Sequence, residues 1–229
     1  MKKIILSGLF LTTMFSCKKE EIDINMVCTS DSTGVSIQKS PYFPMQVGNY
    51  WIYQHYQVDT LNHTENLTIP YDSLVIDRDS IIDGYKYYVF QGKIFGQGDW
   101  GIHSILRVEG LDLINTFGNI VATHDIPSGV LFDTTVFYQQ TQDTLYRIMS
   151  KMIGETEFVS TPFSSVECIV KKECLSNMSL SPAAEKNNYI YYGYGLGKVK
   201  FIYNYMSPPV HIFREMRLIK AKVNGVFYE

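Results

Sequence analysis

Aromatic rings are the side chains with which this sequence could do the most chemistry. Tyr occurs 17 times and Phe 13 times in 229 residues. Many fall in strand-like runs: Tyr87, Tyr88 and Phe90; Tyr189, Tyr191, Tyr192 and Tyr194; Tyr203 and Tyr205. They occupy both parities of an extended chain, so some rings must face away from the core. Exposed rings on a sheet stack sugars or line an apolar cavity; the plainer alternative is that they cover the sheet's second face. Trp100 stands apart, in Gly96-Gln97-Gly98-Asp99-Trp100-Gly101. A large aromatic on a Gly-rich loop is a contact residue, or else a plug for the end of a barrel. Trp100, Tyr191 and Tyr194 are therefore the candidate ligand-binding residues, with a glycan or an apolar small molecule as the expected partner.

Other chemistries find less support. The five histidines, His55, His63, His103, His124 and His211, show neither H-E-x-x-H nor a close pairing with cysteine, so no metal site is expected. Asp77-Arg78-Asp79-Ser80-Ile81-Ile82-Asp83-Gly84 resembles a calcium loop, but lacks Gly at the sixth place and the distal Glu. Gly193-Tyr194-Gly195-Leu196-Gly197 fits neither phosphate-loop pattern, and a strand, not a helix, should follow it. Glycines that bend a curved sheet are the better reading. There is no G-x-S-x-G elbow. The 23 acidic residues are scattered over turns, so catalytic residues stay unassigned, although a carboxylate pair from distant positions would suit a glycosidase. No cofactor is expected.

The thiols are best read through the run from Val166 to Cys174. With period 2, Val166, Cys168, Val170 and Cys174 share one apolar face; Glu167, Lys171 and Glu173, with Ile169, lie on the other. Cysteine behaves as a small hydrophobe in such a stripe. Six residues of strand span about 20 Å, beyond disulfide reach, so Cys168 should be a buried thiol not bonded to Cys174. A Cys28–Cys174 bridge stays open in an oxidising compartment.

The elements that would position these groups are strands. Tyr, Phe, Val, Ile and Thr favour a pleated, half-buried surface, and no long helical periodicity interrupts them. Aromatic-rich Tyr50–Gln57 comes first, then Leu67–Ile76, ending in polar Asp77–Ser80. Asp83-Gly84 is the strongest hairpin signal. Glu109-Gly110, Gly118-Asn119, Gly154-Glu155 and Asn224-Gly225 mark further turns. Residues 175–188 read as a loop or one short helix. Eleven to thirteen short strands with tight turns argue for an all-β fold, an antiparallel meander, curved sheet or barrel.

The first residues give the location. Met1-Lys2-Lys3, then the uncharged run Ile4–Ser16, form a secretory signal too short to span a bilayer. Met14-Phe15-Ser16-Cys17 resembles a bacterial lipobox of the bulky kind found in Bacteroidota lipoproteins, which implies lipidation of Cys17. Lys18-Lys19-Glu20-Glu21 resembles the surface-export signal of that group and implies the outer membrane, facing outward. Residues 1–16 are then the signal, 17–40 a lipidated tether and 41–229 one β domain. Losing Lys2 and Lys3 leaves 18 basic against 23 acidic side chains, a net charge of −5, with no basic stripe for nucleic acid.

Phe43-Pro44-Met45-Gln46-Val47-Gly48-Asn49-Tyr50-Trp51-Ile52-Tyr53 looks like the opening motif of exported bacterial β proteins, and Gly193–Lys200 like the G-x-G-x-V segment near their end. The resemblance implies architectural roles, Gly48-Asn49 as a turn and Trp51 as a buried anchor. Asp-Ser/Thr-apolar triplets such as Asp72-Ser73-Leu74 resemble O-glycan acceptors of the same bacteria, or are simply turn chemistry. These observations together favour a lipid-anchored, non-enzymatic binding or envelope-assembly module. The alternatives are a polysaccharide hydrolase and a carrier of an apolar ligand in a barrel cavity.

Overall fold

Alternation along Tyr50–Asp59 sends Trp51, Tyr53 and His55 to one side, and all three are buried. That strand (β1) lies near the middle of the sheet, with five strands on one side of it and six on the other. The computed structural model describes residues 40–93, 99–125, 129–137, 144–176, 186–204 and 211–229. They contain thirteen strands, and among them there is no helix. After β1 come β2 (Thr64–Ile82), β3 (Tyr85–Lys93), β4 (Gly101–Glu109), β5 (Asp112–Asn115), β6 (Ile120–Thr123) and β7 (Val130–Phe137). Then follow β8 (Thr144–Ser160), β9 (Ser165–Ser176), β10 (Lys186–Gly193), β11 (Gly197–Tyr203), β12 (Ile212–Val223) and β13 (Val226–Tyr228).

The spatial order is β6-β5-β4-β3-β2-β1-β12-β11-β10-β9-β8-β7, with β13 added beside β12. Each described pairing is antiparallel. Two meanders thus meet where β1 pairs with β12. The far ends curl until β6 comes close to β7 and β8, giving a nearly closed barrel. Closure removes the exposed sheet edges that invite aggregation. Side chains complete it: Leu113 and Ala122 from β5 and β6 pack with Met152 and Ile169 from β8 and β9. Tyr42 and Phe43 join this cluster. Their segment crosses one end of the sheet, since Gly110 O accepts from Ser40 N and Pro41 O accepts from Gly195 N.

The two terminal motifs meet here. The Trp51 indole Nε1 donates to Leu196 O at 2.6 Å and its ring stacks on Phe90. Asn49 is buried; its Oδ1 accepts from Asn224 N at 2.8 Å, tying the first strand's entry to the β12–β13 turn. Trp51 is thus the buried anchor its motif implies.

Several expectations are corrected. Asp77–Ser80 does not end a strand: β2 runs through it to Ile82, with a register shift at Ile76/Arg78. Cross-strand pairing to β3 holds the backbone there, and the exposed charges find partners, such as Lys86 with Asp79 at 2.5 Å. Gly154-Glu155 is not a turn but an irregularity inside the long β8; the chain reverses at Thr161–Ser164. Gly193–Gly197 does not bend a sheet. Gly195 (φ +73°) and Gly197 (φ +79°) belong to the tight β10–β11 hairpin. Gly193 is required by contact, since a Cβ would sit 2.6 Å from Val166 Cγ1. The strand Val130–Phe137 had no sequence signal strong enough to name. The reading of 175–188 is in part settled, with β9 extending to Ser176 and β10 starting at Lys186, while 177–185 lie outside the described residues.

Candidate ligand cavity

Inward-facing residues from strands all round the barrel leave a void. It has two adjoining lobes, of about 350 and 360 Å³, within the usual range of small-molecule pockets. The first is walled by Trp51, Tyr53, Phe90, Leu106, Leu113 and Tyr192, and Phe43 lies across its end. The second lies along His55, Asp72, Phe201, Tyr203 and Met216. Tyr53, Leu74, His103 and Lys198 border both lobes.

Two register irregularities supply the polar groups at that border. On β4, Phe90 faces Ser104 while Gln91 faces Ile102, so His103 is the extra residue, and both His103 and Ser104 reach the cavity. Gly92 leaves room for it: a Cβ there would lie 3.3 Å from His103 Cβ. On β11, Tyr192 faces Lys198 while Tyr191 faces Lys200, so Val199 is extra. The bulge puts Lys198 into the cavity and Lys200 on the opposite face.

The cavity's charges are unevenly matched. Lys171 Nζ lies 2.8 Å from Glu173, and His55 Nε2 lies 3.0 Å from Asp72. Lys198 has no carboxylate at ion-pair distance among the described residues. Its Nζ stands 5.9 Å from the Tyr53 ring and 5.8 Å from the Phe201 ring. Loss of hydration lowers the Lys198 ammonium's pKa, with Asp72 opposing and Lys171 adding to the shift. His103 stays substantially exposed, yet desolvation and then the charge of Lys198 hold its pKa below the ordinary value. Burial raises the Tyr53 and Tyr192 phenols, so both stay protonated; Tyr53 OH donates to Lys198 O at 2.9 Å.

Lys171 and Glu173 also correct the reading of β9. Alternation is as expected: Val166, Cys168, Val170 and Cys174 are buried, and Cys168 carries a free thiol pushed up to about 12 by burial. The other face, read as polar, turns inward at Ile169 and Lys171, both buried. A possible bridge from Cys28 lies outside the described residues.

The candidate contact residues sit elsewhere and apart. Trp100 is exposed just before β4. Tyr191 is buried on the face away from the cavity, its phenol pushed up to about 12 by burial and by Glu157 and Glu215. Tyr194 is exposed in the β10–β11 turn, edge-on to Tyr42. None of the three lines either lobe. Cys17 lies outside the described residues. Among the described residues no cluster of His, Cys, Asp and Glu stands close enough to hold a metal ion.

Fold and cavity together define an antiparallel barrel with an aromatic-walled interior. The same fold occurs in a candidate exported protein of YmcC-like fold from Bacteroides fragilis, 15% identical, with a TM-score of 0.51 over 79% of this chain and 98% of that one. A candidate lipoprotein from Parabacteroides distasonis superposes more loosely, with a TM-score of 0.40 at 12% identity over the same shares. No protein-family model matches the chain, and no curated protein matches it.

Proposed function

We propose that this chain is a lipid-anchored envelope protein whose barrel holds an apolar small molecule. The observation that carries the proposal is the cavity itself, walled by Trp51, Tyr53, Phe90, Leu106 and Leu113 and of ligand size. Rings and aliphatic groups facing a solvent-open space of this size lack the dispersion contacts of a packed core. An apolar occupant restores them. The anchor rests on the signal at Met1–Ser16, the lipobox cysteine Cys17 and the tether that follows. Several acyl chains on one cysteine hold a water-soluble domain stably, at about 0.8 kcal/mol per buried methylene. The lysine and acidic run Lys18-Lys19-Glu20-Glu21 after Cys17 supports the outer surface as the destination. The neighbour of the same fold is itself described as exported.

The test uses the Cys17→Ala chain, which should leave the membrane while staying folded. The neutral fluorophore N-phenyl-1-naphthylamine should bind it saturably, and Val121→Phe, which fills part of the first lobe, should weaken binding at least about tenfold. Absence of saturable binding, or binding indifferent to the filled lobe, would count against the cavity as the site.

A further inference from the structure

Lys198 is the cavity residue that an apolar ligand alone does not explain. Its stem leaves β11 between Tyr53 and Phe201, and its Nζ points into the space where the two lobes join. Of the other charged groups lining the two lobes, Glu173 pairs with Lys171 and Asp72 with His55, while Lys93 adds a second cation on the second lobe. His103 adds no negative charge, being neutral or cationic. The two rings, each nearly 6 Å off, give an ammonium a weak attraction, but no anion. A partly buried ammonium among apolar walls, with the carboxylates of Asp72 and Glu173 felt only from beyond ion-pair distance, is costly, and it is tolerated where function needs it or where a ligand completes the pair.

We infer that the ligand is an amphiphile with one acidic head group, which ion-pairs with Lys198 at the junction while its apolar part fills the first lobe. The inference rests on the proposal that the cavity takes an apolar ligand, and adds the head group to it. The first lobe receives the tail because Trp51, Phe90, Leu106, Leu113 and Val121 wall it. The head lies at the junction because a carboxylate or phosphate oxygen placed there meets Lys198 without displacing an existing ion pair. Both Tyr53 and Ser104 stand on that border or next to it. A cation at the junction of two apolar lobes discriminates an acid from the matching alcohol by leaving its charge unpaired when the wrong ligand enters.

The experiment compares dodecanoate, dodecyl phosphate and dodecanol on the Cys17→Ala chain, by displacement of N-phenyl-1-naphthylamine. Either acid should bind at least about tenfold tighter than the alcohol, and the stronger of the two identifies the head group as carboxylate or phosphate. Lys198→Met should abolish that preference and leave dodecanol unchanged, whereas Lys198→Arg should keep it. Lys200→Met, on the opposite face, should also keep it. Equal binding of acid and alcohol to the unaltered lysine chain needs no variant to read, and would overturn the inference while leaving the cavity proposal standing. A preference that survives Lys198→Met would overturn it too. If the fluorophore and all three amphiphiles fail to bind, the cavity proposal falls and takes the inference with it.

Discussion

Lys198 and Lys200 are two residues apart on one strand and live in opposite surroundings. Lys200 Nζ lies 2.7 Å from Glu215, which Arg217 also holds at 2.9 Å, while Arg217 reaches on to Glu65 at 2.7 Å. On that face each of these charges has a partner and the groove is finished as it stands. Lys198 faces the aromatic cavity and has no carboxylate to meet among the described residues. The difference comes from one extra residue, Val199, which turns two lysines that simple alternation would place side by side onto opposite faces of the sheet. One cation is held by a carboxylate at contact distance, while its neighbour feels Asp72 and Glu173 only from farther off, and on the proposal made above that difference is what an acidic ligand would make up.

The largest effect expected bears on what holds the cavity side together. Trp51→Ala removes a buried ring, its stacking on Phe90 and its hydrogen bond to Leu196 O. Urea unfolding should show a loss of about 3–5 kcal/mol. A loss below about 1 kcal/mol would mean that the cavity wall does not depend on its aromatic anchor.

The lysines themselves offer the sharper contrast. Lys200→Met breaks a pair with the buried Glu215 carboxylate and should destabilise by about 1 kcal/mol, the upper range for partly exposed pairs. Lys198→Met replaces a partly buried ammonium without a carboxylate at ion-pair distance by an apolar chain of similar length, and should be neutral or stabilising in the ligand-free protein. Opposite signs sharpen the comparison. Equal losses in the two variants would break it.

The smallest effect concerns His103. Its pKa is held below the ordinary 6.5 of the unfolded chain, first by desolvation and then by Lys198. As pH falls below about 6.5 the unfolded chain takes up the proton before the folded one, so stability declines on acidification until the folded value is passed. The ring is substantially exposed, so solvent screening limits the effect to a few tenths of a kcal/mol. Urea unfolding at pH 7.5 and 5.5 should show a slightly flatter pH dependence in His103→Gln; an unchanged dependence would remove His103 from the set of groups that feel Lys198.

Much of the fold was legible because local rules and tertiary structure agree. The β-favouring composition gave the class, and Asp83-Gly84 and Asn224-Gly225 turn where hairpin chemistry predicts, with all four residues at positive φ. Trp51 and Cys168 are buried as their patterns demand. The disagreements have one physical source, which is pairing across the sheet. A polar stretch such as Asp77–Ser80 stays in a strand because its backbone is bonded on the β3 side, and Gly154-Glu155 stays in β8 because β9 spans it. The candidate site was legible in kind but not in place. Ring abundance pointed to an apolar cavity, yet Trp100, Tyr191 and Tyr194 stand outside it. Lys198 and His103 were invisible, because period-2 reading assigns each to a face that only a bulge reverses. No single-strand pattern announces a bulge created by the register of its neighbour.

On the proposed function, the barrel interior and not the exposed aromatic surface receives the ligand. The chain has two tryptophans, one in the cavity wall and one outside it. In a Cys17→Ala chain carrying Trp100→Phe, Trp51 is the sole indole, and 12-bromododecanol quenches indoles only at close contact. Quenching of Trp51 should be saturable, and lost when Val121→Phe fills the lobe. Trp51 emission that is unmoved by the brominated alcohol, while Trp100 is quenched in the parent chain, would place the ligand on the surface and rule out the barrel interior as its site.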